Sequence, residues 1–185
     1  DDRHLEEIDM AITASMVKEL REMTGAGMMD CKKALNETNG DMDAAVEYLR
    51  KNGQAKAEKK AGRIAAEGIV ATTIKGDDKV AAIVEVNAET DFVAKNEVFQ
   101  TYVKEVVEQL ADSNAADVEG FKAEPWALDT SMTVQDKLAA MIAKIGENMN
   151  IRRFEKVVAE NGIVVSYIHA GGKIGVLVEA ETECN

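Results

Sequence analysis

Apolar positions near the start of the chain recur at helical spacing. Met16, Val17, Leu20 and Met23 mark one face of a helix, and Thr13 stands where an N-cap is needed. Thr24-Gly25-Ala26-Gly27 breaks it. Met28, Cys31, Ala34 and Leu35 share one side of a second helix, which Asn39-Gly40 ends. Asp41 caps a third helix bearing Met42, Ala45, Val46 and Leu49, and Asn52-Gly53 is expected to close it. Gln54 to Ala66 is rich in Ala, Lys and Glu without a wide apolar stripe and reads as a solvated helical linker or hinge. Its cations Lys56, Lys59, Lys60 and Arg63 read as a solvated face.

The pattern then changes period. Ile69 to Ile74 is a β-branched strand, Lys75-Gly76-Asp77-Asp78 a turn, and Val80 to Val86 the return strand. Val98, Phe99, Tyr102, Val103, Val106, Val107 and Leu110 mark a long helix that ends near Asp112. Residues 115–132 read as a loop with a short helical turn, with Trp126 as a core lid. Thr133 and Asp136 form a variant capping box for a helix that stops at Gly146. Asn150 to Glu155 reads as a strand, whose Arg152-Arg153 pair suits strand-face salt bridges better than an anion site. Ile163 to Ile168 and Ile174 to Val178 form a last hairpin.

That hairpin is a repeat. Gly68-Ile69-Val70 and Lys79-Val80 align with Gly162-Ile163-Val164 and Lys173-Ile174 at a constant offset of 94 residues. The helices that follow the first copy have no counterpart before Asn185. One face of the second hairpin must therefore pack on the first copy or be covered by another chain. The fold class is α+β. A three-helix bundle of the ubiquitin-associated type spans 10–53, near the lower size limit for an independent core. A linker spans 54–66. A first core repeat, an antiparallel three-stranded sheet packed with helices, spans 67–160. The hairpin of an incomplete second repeat spans 161–185. Residues 1–9, acidic and without a period, read as a leader outside the folded unit.

Charge narrows the function. The net charge of −12 argues against nucleic acid as the main partner. No apolar run has the length of a membrane span. Cys31 and Cys184 lie far apart, outside any metal spacing, and read as free thiols of a reducing cytoplasm. Two histidines, His4 and His169, leave no basis for a His-based metal site or triad. There is no Gly-x-Gly-x-x-Gly after a strand, no phosphate loop, and no paired nucleophile and base. The expectation is not an enzyme, with no cofactor. A plain interaction module docking through the Met28-Met29 loop is the competing class.

The stretch Asn87 to Asn96 joins a strand pattern to a helix pattern. Its Phe92 either folds back as a hydrophobic staple or points out as a binding knob. Burial energetics alone favour the staple.

Three motifs carry a family resemblance. Lys18 to Lys33, Thr90-Asp91-Phe92-Val93-Ala94-Lys95, and Ile145-Gly146-Glu147-Asn148 with Ile151-Arg152-Arg153 occur in order at suitable spacing. Together they resemble the translation elongation factor Ts family, whose members are guanine-nucleotide exchange factors for elongation factor Tu. The resemblance implies that the bundle grips the GTPase domain through Arg21, Met28, Met29 and Lys32. It implies that Asp91, Phe92 and Val93 reach into that domain, with Phe92 as a wedge near the magnesium and phosphate site. Ile145 and Gly146 would make a nearby backbone contact, and His169 would face the other end of the partner. The implied partner is elongation factor Tu, GDP-bound or nucleotide-free, in the cytoplasm. The exposed second hairpin offers a surface for a homodimer. Without the second copy's helices, docking without exchange is the alternative.

Overall fold

The computed structural model describes residues 11–183. The expected leader at 1–9 and Cys184 lie outside the described residues. Helices α1 (Ala14–Thr24), α2 (Met28–Glu37) and α3 (Met42–Lys60) form the bundle. Thr13 caps α1, its hydroxyl accepting from the Met16 N–H at 3.2 Å. Gly25, in the left-handed region at φ 67°, ends α1 with its N–H on the Arg21 carbonyl. Leu20, Cys31, Ala34, Leu35 and Ala45 are fully buried and form the small core. Met23 and Met28, expected on the apolar faces, are instead exposed. They flank the Thr24–Gly27 turn, outside that core.

The third helix does not close at Asn52-Gly53. It runs on to Lys60, so 54–60 is helical and continuous with the bundle. The Ala- and Lys-rich sequence favours helix, and Gly in mid-helix costs only about 1 kcal/mol. Tertiary packing offsets that cost. Gly53 is buried where α3 crosses α7 (Val134–Ile145), and a Cβ there would touch the Ala139 carbonyl and Ala140 at 3.8–3.9 Å. Beside it Gln54 donates to Asp136 at 2.8 Å, and Arg50 lies 3.5 Å from the same carboxylate. Asp136 also completes the expected capping box with Thr133.

The main sheet has the order β1-β2-β5, all antiparallel: β1 (Glu67–Lys75), β2 (Val80–Ala88) and β5 (Met149–Val158). Between β2 and β5 come α4 (Asp91–Ala94), α5 (Glu97–Asp112), α6 (Val118–Lys122), the small ribbon β3 (Pro125–Trp126) with β4 (Asp129–Thr133), and α7. Ala82, Val84, Val86 and Ala88 of β2 meet Phe99, Tyr102, Val103, Val106 and Leu110 of α5 and Leu138, Met141 and Ile142 of α7 in the main core. Trp126 is buried in it, its ring 6.1 Å from that of Tyr102. A bulge opposite Glu85-Val86 leaves Arg152 out of register, while Arg153 pairs with Glu85 at 2.6 Å.

The last hairpin, β6 (Gly162–His169) and β7 (Ile174–Glu181), repeats the register of β1 and β2 residue for residue. Gly68 pairs with Asn87 and Gly162 with Glu181; Lys75 pairs with Val80 and His169 with Ile174. A Cβ on Gly68 would overlap the Val86 carbonyl, and one on Gly162 the Ala180 carbonyl, again 94 residues on. The two copies meet reciprocally. The Val70 N–H donates to the Gly172 carbonyl and the Val164 N–H to the Asp78 carbonyl, both at 2.7 Å. These bonds exchange under the repeat, which is the signature of an approximate two-fold axis between the hairpins. Val164 is buried with Ala81 and Ala159, and Leu177 packs beside them. One hairpin face therefore packs on the first copy. The other, with Ile163, Val165, Tyr167, Ile174, Val176 and Val178, is exposed. Val176 and Val178 occupy the positions of Ala82 and Val84, which are buried against α5 in the first copy.

Candidate functional site

β2 ends at Ala88, and two caps follow in quick succession. Thr90 is the N-cap of α4, its hydroxyl accepting from the Val93 N–H at 3.4 Å. Asn96 is the N-cap of α5, accepting from Val98 and Phe99. The corner is thus a separate single helical turn between a strand and a long helix. Ala94 is buried on its inner side, and Val93 is half-buried against the main core. Phe92 is 81 % exposed. The staple expected from burial energetics is overturned: Phe92 is the second residue of its own turn, and Val93 and Ala94 take the inward positions.

Asp91 accepts from Lys95 at 2.9 Å. That hydrogen bond and the Lys95 charge hold its carboxyl below the usual range, with a smaller contribution from Lys173. α7 ends at Ile145, which packs against the core, and Gly146 caps it at φ 86° with its N–H on the Ile142 carbonyl at 2.8 Å. The next two residues reach the Phe92 corner. Glu147 accepts from the Thr90 N–H at 3.1 Å and the Thr90 hydroxyl at 2.8 Å. Glu89 accepts from the Asn148 N–H at 2.6 Å. The Asn148 side chain donates to the Arg63 carbonyl at 2.8 Å. Asp91, Phe92, Ile145 and Gly146 thus share one end of the main sheet.

The remaining expected residues lie elsewhere. Arg21, Met28, Met29 and Lys32 are all exposed on α1 and α2. Met29 reaches 76 % exposure, high for an apolar side chain. His169 is the last residue of β6, its Nδ1 2.9 Å from the Tyr167 hydroxyl, and belongs to neither cluster. Sequence reasoning gave no role to Glu89, Glu147, Asn148 or the highly exposed Ile64. Glu147 and Asn148 belong to the Ile145-Gly146-Glu147-Asn148 motif, and Ile64 is the one β-branched residue of 54–66.

Burial pushes the Cys31 thiol up, away from the reactive thiolate. Among the described residues no group of three His, Cys, Asp or Glu is arranged to hold a metal ion. Among them, too, no helix is long and apolar enough to cross a membrane.

The family model described as Elongation factor TS matches residues 89–185. Elongation factor Ts of Clostridium tetani is 59% identical over 172 residues, covering 93% of this chain and 57% of that protein. That of Trichlorobacter lovleyi is 58% identical over 171 residues, covering 92% and 55%. That of Clostridium perfringens is 59% identical over 174 residues, covering 94% and 57%. The chain thus spans a little over half the length of these curated relatives. With the model matching more than half of its residues, the chain belongs to the elongation factor Ts family.

Proposed function

We propose that the chain is a guanine-nucleotide exchange factor for elongation factor Tu in the cytoplasm, and that it acts by binding rather than by covalent chemistry. The observation that carries this reading is the exposed Phe92 on a corner fixed between β2 and α5. An aromatic held out in water is costly unless a partner covers it. The bundle would grip the GTPase domain through Arg21, Met28, Met29 and Lys32. Phe92, aided by Asp91 and by the Ile145-Gly146 backbone, would wedge beside the magnesium and phosphate site. Val93, half-buried, would support the wedge from behind. Loss of charge compensation around the bound diphosphate then releases GDP.

Linkage sets the energetic requirement. The factor weakens nucleotide by the same factor as nucleotide weakens it. Tighter binding to nucleotide-free elongation factor Tu than to the GDP complex is therefore required. Calorimetry with both forms tests this. Equal affinities would reject the exchange reading, because a ligand with equal affinity for two states shifts neither.

The bare apolar face of the β6–β7 hairpin favours a second reading. In it the chain docks on elongation factor Tu without releasing nucleotide, because none of the described residues covers this face as α5 covers Ala82 and Val84 in the first copy. The same face would accept a second copy of the chain.

A further inference from the structure

The mount of Phe92 is held by two carboxylates, Glu147 and Glu89. Glu147 accepts both polar hydrogens of Thr90, from the N–H at 3.1 Å and the hydroxyl at 2.8 Å. Glu89, beside Thr90 in sequence, accepts from the N–H of Asn148, beside Glu147, at 2.6 Å. Each loop lends its acid to the other. Asn148 extends the tie through its side chain to the Arg63 and Ala61 carbonyls, and Arg63 lies 3.5 Å from Glu89.

The arrangement has a directional consequence. A threonine hydroxyl has one proton and two lone pairs. Giving the proton to Glu147 turns a lone pair toward the Val93 N–H, the bond that caps α4. A four-residue helix has no stability of its own, because nucleation alone exceeds what its few bonds return. The turn carrying Phe92 is therefore held by this cap together with the inward packing of Val93 and Ala94.

We propose that Glu147 is a positioning residue for Phe92: it orients the Thr90 cap and, with Glu89, ties the Phe92 turn to the Ile145-Gly146 turn as one rigid body. This rests on the reading of Phe92 as the wedge. A loose aromatic still finds the partner's surface, but ordering it there draws on the binding energy that should open the nucleotide site. Loss of the clamp should therefore lower the release rate at saturation more than it lowers apparent affinity.

The test uses the full chain with Glu147→Ala, Glu147→Asp and Phe92→Ala. Amide hydrogen exchange at Thr90 and Asn148 is followed in the free chain. GDP release from elongation factor Tu is followed against factor concentration. In Glu147→Ala the Thr90 amide should exchange faster. The saturating release rate should fall roughly tenfold, the scale of one charge-assisted hydrogen bond, with half-saturation shifted less than about threefold. Glu147→Asp keeps the charge but withdraws the carboxylate by one methylene, and should fall between; it decides the matter if Glu147→Ala fails to fold. The proposal is overturned if Phe92→Ala loses release while the Glu147 variants, with Thr90 freed, release GDP at the native saturating rate. If Phe92→Ala itself releases GDP normally, the wedge reading fails and this role falls with it.

Discussion

At the scale of single residues, Phe92 separates what sequence conveys from what it hides. Its neighbours in sequence fit a staple as well as a knob. The choice turned on whether the corner is the first turn of α5 or a turn of its own. Thr90 and Asn96 both cap, which makes α4 separate and gives Val93 and Ala94 the inner side. Two cap-forming residues six apart were visible in the sequence, but capping by Thr90 depends on Glu147, which is 57 residues distant. Because Phe92 touches little of its own chain, Phe92→Ala should leave thermal stability within about 0.5 kcal/mol of the native protein. A calorimetric melt checks this, and a large loss would mean that the side chain supports the fold after all. Cys31, which shares a helix side with Leu35 one turn away, is buried with it in the bundle core, a local relation.

At the scale of elements, periodicity and caps were legible, and long-range packing was not. The capping box at Thr133 and Asp136, the stop at Gly146 and the strand at β5 follow from local chemistry. Gly53 misled because Asn-Gly usually ends a helix, whereas here the glycine admits the backbone of α7. The crossing makes a graded prediction. Gly53→Ala adds a methyl at ordinary contact distance and reduces unfolded-chain freedom, so it should stabilise by roughly 0.5 kcal/mol. Gly53→Leu should force α3 from α7 and lower the melting temperature. Chemical denaturation of both variants checks the pair, and equal behaviour would contradict a close crossing. The same junction should respond to acid. Burial raises the Asp136 carboxyl, but hydrogen bonds from Thr133 and Gln54 and the Arg50 charge outweigh it, so its native value lies below the ordinary one. A depressed carboxylate stabilises the fold fully above its unfolded value of about 3.9 and loses that contribution as pH falls through the native value. Stability measured from pH 5 downward should therefore drop less steeply in Asp136→Asn than in the native chain, and parallel curves would remove Asp136 from the account.

At the scale of the whole molecule, the repeat was legible because its offset is constant, and the reciprocal Val70–Gly172 and Val164–Asp78 bonds give it a spatial meaning. Sequence left open whether the second hairpin packs on the first copy or awaits a cover. The structure divides the answer by face: Val164 is buried, while Val165 and Val178 opposite it are exposed. A contiguous exposed apolar face of this kind favours association. Sedimentation over a wide concentration range should detect self-association that Val178→Lys weakens, and a concentration-independent monomer would argue that this face needs no second copy. The bundle is clasped to the core by α3 against α7, so the Met28-Met29 patch and Phe92 are presented by one body. Two linked contacts raise effective concentration only if the body spans both sites at once. Whether this body exposes Phe92 to open a nucleotide site is decided by stopped-flow release of a fluorescent GDP analogue from elongation factor Tu. The native chain should accelerate release strongly, and Phe92→Ala should lose the acceleration while binding is retained through the bundle. Acceleration by Phe92→Ala equal to that of the native chain would contradict that role of Phe92.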